Sequence, residues 1–231
     1  MSREPAETAA DTMRDMTEEP DRAPLYREPR QARSVATLAR VLQAAEEIAS
    51  SAGLAEMTIT GVAERAGVSV GTIYRRFDDK DQLVTALVER MLERREAYVA
   101  ERLRAAEPSL RGLMDAYAHA LLQSFAEGNK LFPELLRARG VKAVDRGADA
   151  ITEIHRLLVE AATPYADRIR RSDPQAALDT VARALLGACF HNSVRPDPAT
   201  GEAALRRYAD ELGDMAIAYL DTPDRDRTAR P

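Results

Sequence analysis

Apolar residues in this chain recur at intervals of three and four from about residue 33 to about residue 221, and no strand-length segment alternates apolar with polar side chains. A period near 3.6 buries one face of a helix, whereas a half-buried strand needs a period of two, so the pattern predicts an all-α fold. Val35, Leu38, Leu42, Ala45 and Ile48 make one such face, and Gly53 marks its end. Thr58 can cap a second, short helix that stops at Gly67, and Ser69 can cap a third that runs to about Phe77. The acidic stretch at 78–81 opens a long fourth helix through Leu83, Leu87, Met91 and Tyr98, ending before Pro108. Further helices are predicted over 110–127, 131–139, 141–162, 174–194 and 201–221. The first of these is apolar nearly all round, which predicts a central position. Residues 1–30 are polar, contain proline and lack periodicity, so they are predicted to be a disordered arm.

The segment GVSVGTIYRRF, residues 67–77, carries the sharpest punctuation. A helix that ends at glycine, a three-residue turn and a second short helix capped by serine form a helix-turn-helix pattern. Gly67 can take a positive φ at the corner, and Val68 can fill the angle between the helices. Ala63 and Ala66 are small enough to let the helices approach. Ile73 and Phe77, four apart, face inward, leaving Gly71, Thr72, Arg75 and Arg76 on the outer side. A small residue near the start of such a helix lets backbone approach the floor of a major groove.

Residues 58–84, TITGVAERAGVSVGTIYRRFDDKDQLV, resemble the DNA-binding segment of the tetracycline-repressor (TetR) family of bacterial regulators. Thr58, Val62, Ala63, Ala66, Gly67, Val68, Ser69, Gly71, Thr72, Ile73, Tyr74, Phe77, Lys80 and Leu83 occupy the family's positions. The resemblance covers about residues 33–100. It implies a DNA interface built from Thr58, Thr60, Ser69, Val70, Gly71, Thr72, Tyr74, Arg75, Arg76 and Lys80. Within it, Thr72, Arg75 and Arg76 would approach bases, while Thr58, Tyr74 and Lys80 would hold the phosphate backbone. Two positions depart from the family. Gly61 stands where an acid often completes a capping box with Thr58, and Val70 stands where lysine is frequent.

Charge distribution agrees with that reading more than the net charge of −5 does. Residues 1–21 carry two arginines and seven acids; residues 22–80 carry nine basic and seven acidic residues, a local excess of +2. Arg22, Arg27, Arg30 and Arg33 precede the first helix, either as an ordinary tail or as an arm for a narrow minor groove. The single Cys189 excludes an intrachain disulfide and, with no apolar leader or span, makes a reduced cytoplasmic location the expectation. His119, His155 and His191 fall on three different predicted helices, and Cys189 and His191 point to opposite sides of theirs, so no metal site is expected. No phosphate loop or nucleophile elbow is present; neither catalysis nor a cofactor is expected.

Residues 31–80 are therefore expected to form the DNA-binding domain and 81–231 a helical effector-binding and dimerisation domain. Leu205, Tyr208, Leu212, Met215 and Tyr219 form a 3-4-3-4 stripe on the last helix. The helix before it offers Leu178, Val181, Leu185, Ala188 and Asn192, with Ala182 and Ala184 permitting close approach. The resemblance implies that these two helices pair with their symmetry mates in a homodimer. It also implies a small-molecule pocket, for which Met91, Tyr117, Leu121, Ser124, Ile151, His155 and Leu158 are candidates, and a fourth helix that tilts when the pocket fills. The resulting expectation is a repressor that binds a palindromic operator and is released by an effector. A constitutive DNA-binding protein whose second domain only dimerises or docks a partner, and an all-α enzyme that shares the corner, are the alternatives.

Overall fold

The computed structural model describes residues 32–127, 141–194 and 201–224. The predicted arm at 1–30, the helix expected over 131–139 and most of the turn at 195–201 lie outside them. Among the described residues there are eight α-helices, one 3-10 segment and no strand. The helices are α1 (Ala32–Ala52), α2 (Ile59–Ala66), α3 (Val70–Tyr74), α4 (Lys80–Arg104), α5 (Leu110–Glu127), α6 (Val141–Ala162), α7 (Pro174–Val194) and α8 (Glu202–Leu220), with the 3-10 turn Thr163–Arg168 after α6. The all-α class is what the chain adopts. No described helix is long and apolar enough to cross a membrane.

Local chemistry sets the ends of the first helices. Gly53 and Gly67 take φ of 92° and 64°, the left-handed region that a β-carbon opposes, and so end α1 and α2. Thr58 Oγ1 accepts the Gly61 N–H at 3.0 Å, Ser69 Oγ the Thr72 N–H at 3.2 Å, and Asp79 Oδ1 the Gln82 N–H at 2.7 Å. Each such cap stabilises its helix by about 1 kcal/mol. Gly61 therefore loses only the reciprocal half of the capping box. Regular α3 stops at Tyr74, earlier than the expected Phe77, because the Arg76 N–H closes a tighter turn onto the Ile73 carbonyl at 2.9 Å. Met57, Val62, Ile73 and Phe77 are fully buried between α1, α2, α3 and the start of α4, each contributing roughly 1.5–3 kcal/mol.

The face of α4 is not the one expected. Leu83 and Leu87 are buried, but Met91 and Tyr98 are only half-buried, and Leu92, Val99 and Leu103 carry the second half into the core. A shift of one residue turns the helix about 100°. α4 thus offers one side to the N-terminal helices and another to the C-terminal layer. α5 is central as predicted, packing against α4, α6, α7 and α8. Its approach to α8 depends on Gly213, where a β-carbon would fall 2.2 Å from Asp115 Oδ1.

The expected pairing stripe is divided between two environments. On α8, Leu212 is buried in the chain's own core beside Ala209, Ala216 and Leu220; Leu205, Tyr208 and Tyr219 are half-buried and Met215 is 50% exposed. On α7, Leu178, Val181, Ala182 and Leu185 are also internal, while Ala184 and Gly187 face outward and Ala188 and Asn192 are half-buried. Thr180, Ala184, Met215 and Tyr219 rim a shallow apolar groove between α7 and α8, with Val181, Leu185 and Ala216 beneath.

Candidate nucleic-acid interface

Because α3 and the turn after it bury Ile73 and Phe77, each 1% exposed, the other side of this segment must face out. Gly71, Tyr74 and Arg75 are exposed there, with Val70 and Thr72 half-buried beside them. The polar groups are already ordered. Ser69 Oγ and Thr72 Oγ1 share a hydrogen bond of 2.9 Å, and Arg75 Nη2 donates to Thr72 Oγ1 at 3.1 Å. A chain of short side chains thus aims the guanidinium and reduces the rotamer entropy that contact with a partner would cost. Thr72 is the support of Arg75 in this arrangement.

Arg76 does something else. Its Nη2 reaches back 42 residues to the hydroxyl and carbonyl of Ser34, and the side chain is part-buried. The expectation that it lies with Arg75 on the outer face is corrected: the guanidinium ties the end of α3 to the start of α1. The side chains of residues 1–33, including Arg22, Arg27, Arg30 and Arg33, lie outside the described set.

Thr58 and Thr60 are exposed at the start of α2. Lys80, the first residue of α4, is half-buried and its Nζ donates to the Ala55 carbonyl at 3.3 Å. An ammonium has three donors, so two remain for an anion. Gly71 is informative for what it lacks. A β-carbon there would meet nothing closer than Ser69 Oγ at 3.9 Å. Nothing inside the chain requires glycine, although glycine costs a helix about 1 kcal/mol relative to alanine.

The residues expected to line an effector pocket do not share one setting. Tyr117, Leu121 and Leu158 are 0% exposed. Met91 is half-buried, and Ser124 donates its hydroxyl to the Leu121 carbonyl at 2.9 Å. Ile151 is 41% exposed, a correction to its expected inward position. The buried row of α6 is Ala150, Ile154, Leu158 and Ala162, one residue out of register with it. The Tyr117 hydroxyl and His155 Nε2 are both buried without a hydrogen-bond partner. They face different neighbours: Cys189 lies near the Tyr117 phenol, whereas Asp179 and Arg183 lie near His155. Burial raises the Tyr117 phenol well above its ordinary range, pushes the Cys189 thiol up to about 12 and lowers His155. Among the described residues no three His, Cys, Asp or Glu side chains come together to hold a metal ion.

Capped corner, buried inner face and ordered cationic outer face define an all-α protein with an N-terminal helix-turn-helix DNA-binding domain. Comparison with known proteins places that domain. The family model described as bacterial regulatory proteins, tetR family, matches residues 41–87. The transcriptional regulator TtgR of Pseudomonas putida is 40% identical over 57 residues, which are 25% of this chain and 27% of that protein. The chain thus aligns with only about a quarter of the length of this curated relative. Among solved structures, a tetR-family regulatory protein from Rhodococcus RHA1 superposes with a TM-score of 0.56 at 21% identity, covering 81% of this chain and 98% of that one. SmeT, repressor of the Stenotrophomonas maltophilia multidrug efflux pump SmeDEF, does so at 0.54 and 20%, covering 86% and 95%. The match to the tetR family is thus carried in sequence by residues 41–87, and the likeness in fold to these solved structures extends through the rest of the described chain.

Proposed function

We propose that the protein is a one-component transcriptional regulator, a repressor that binds a near-palindromic operator as a homodimer and is released by a small molecule. Residues 31–80 bind DNA and residues 81–231 dimerise and receive the effector. The observation that carries the reading is Gly71. Its empty front, beside an Arg75 already held by Thr72, is of use only to something that approaches α3 from outside. Thr58, Thr60, Tyr74 and Lys80 would surround that approach with phosphate contacts, and Ser69 and Val70 would form its edge. The exposed Met215, Ala184 and Gly187 beside the apolar α7–α8 groove supply a self-complementary surface, as a two-fold dimer requires. Two recognition helices would then meet successive major grooves about one helical turn apart.

Effector release rests on the buried, unpartnered Tyr117 hydroxyl, a group that a ligand or water would satisfy. Against it, Tyr117, Leu121 and Leu158 are closely packed, and that packing favours a constitutive regulator whose second domain only dimerises. Selection of duplexes from random sequence tests the first part: recovery of a two-fold repeat supports it, and recovery of no sequence preference overturns it. Thermal-shift screening with small molecules tests the second. A ligand that raises the melting temperature and lowers operator affinity favours release over the constitutive reading.

A further inference from the structure

The middle of α4 has an arrangement that neither packing nor DNA binding accounts for. Between residues 89 and 96 the helix changes the side it buries, and Leu92 is the one fully buried residue of that stretch. Polar clasps hold it there instead. Towards the N-terminal domain, Arg90 donates to the Ala39 carbonyl at 2.9 Å and Arg94 pairs with Glu46, both partners on α1. Towards the C-terminal layer, Arg146 of α6 donates its Nε–H to both oxygens of Glu89, at 2.7 and 2.9 Å, and its Nη1 to Glu96 at 2.8 Å. The Arg146, Glu89 and Glu96 side chains are only 13%, 19% and 21% exposed.

We infer that this girdle is the joint through which the two domains communicate, with Arg146 as the positioning residue that fixes α4 relative to α6. The inference rests on the regulatory reading above and deepens it. Apolar contacts tolerate small sliding, since their energy follows area and not direction. A guanidinium shared between two carboxylates two turns apart does not, because its donors are planar and fixed. Arg146 therefore gives α4 one preferred rotation against α6, and α1 is carried with it through Arg90 and Arg94. Burial and the neighbouring Glu89 raise Glu93, Arg146 lowers it and Glu96 raises it, so one arginine lies in the field of three acids on that side.

Coupling is reciprocal, so DNA alone can test it without any effector. Hydrogen exchange is measured on the full chain, free and saturated with a duplex obtained by selection from random sequence. In the wild-type protein, DNA should change protection of α6 amides 146–158 by about fivefold or more, the low end of ordinary coupling. Arg146→Met should bind the same duplex within about tenfold of wild type, an allowance equal to the cost of one weak coupling, yet leave those amides unchanged. Arg146→Lys, which keeps charge without the fixed pair of donors, should restore part of the response. A wild-type-sized response in Arg146→Met overturns the proposal, as does no α6 response in the wild type. If Arg146→Met does not fold, Glu96→Gln removes one arm and is read by the same criterion. Failure of the wild type to bind any selected duplex would instead sink the regulatory reading, and this inference with it.

Discussion

The two ends of α4 lead into regions that treat polar side chains in opposite ways. In the N-terminal helices Thr58, Thr60, Tyr74 and Arg75 face out, Arg76 turns back onto Ser34, and the core residues are apolar. In the C-terminal layer the described buried side-chain atoms without partners are Asp115 Oδ1, Tyr117 Oη and His155 Nε2, and every one lies beyond residue 110. A buried unpaired polar atom costs about 1–3 kcal/mol. The first region, among the described residues, leaves no buried side-chain polar atom without a partner. The second carries its unmet hydrogen bonds inside. A partner is therefore met on the surface of one region and, on the reading proposed here, within the other.

The largest effect that could break this contrast is loss of the N-terminal core. Phe77→Ala should destabilise the domain by about 3–5 kcal/mol and abolish specific DNA binding, while sedimentation still reports the proposed dimer. Loss of the dimer as well would show that the two regions do not stand apart. At the surface, Arg75→Ala should cost about 1–3 kcal/mol on the preferred duplex and relax preference at one position. Lys80→Ala should weaken all duplexes alike and lower the salt slope by about one. A salt titration with an unchanged slope would remove Lys80 from the interface.

Smaller effects sharpen the contrast. Gly71→Ala should stabilise the free protein by about 0.4–1 kcal/mol in urea denaturation and yet weaken operator binding, because the added methyl meets only the partner. Tyr117→Phe should leave stability unchanged or raise it by about 1 kcal/mol, whereas a normal buried hydroxyl would cost stability on removal. The smallest expected effect is a pH dependence. Burial holds His155 below its ordinary value, so the folded state resists protonation. Its contribution is whole above the unfolded value of about 6.5 and is lost as pH falls through the lower folded value. His155→Leu should flatten the stability profile in that window, and an unchanged slope would place the histidine in contact with solvent.

Much of the DNA-binding region was legible from residue types alone. Gly53 and Gly67 occupy the left-handed conformations expected of them, and Thr58 and Ser69 make the expected caps. Such features are decided within three or four residues, where backbone sterics and one hydrogen bond leave few choices. The helices of the C-terminal layer were legible for the same reason, since a 3.6 period needs no partner to be recognised. Which side each helix buries was not. Ile151 and Ile154 are equally apolar, and only the position of neighbouring helices makes one exposed and the other core. The stripe on α8 likewise gives Leu212 to the chain's own interior and leaves Met215 outside.

By itself, then, the sequence determined an all-α chain, the capped corner and the resemblance of the N-terminal segment to the tetR family, because each depends on short-range rules that any context must obey. The tertiary structure decided the rest: that Arg76 leaves the outer face for Ser34, that α4 turns its buried side by one residue at its middle, and that Arg146 meets Glu89 and Glu96. Those outcomes depend on groups 42 to 57 residues apart. No local propensity encodes such distances; they follow from close packing of whole helices, which fixes rotation only once every neighbour is in place.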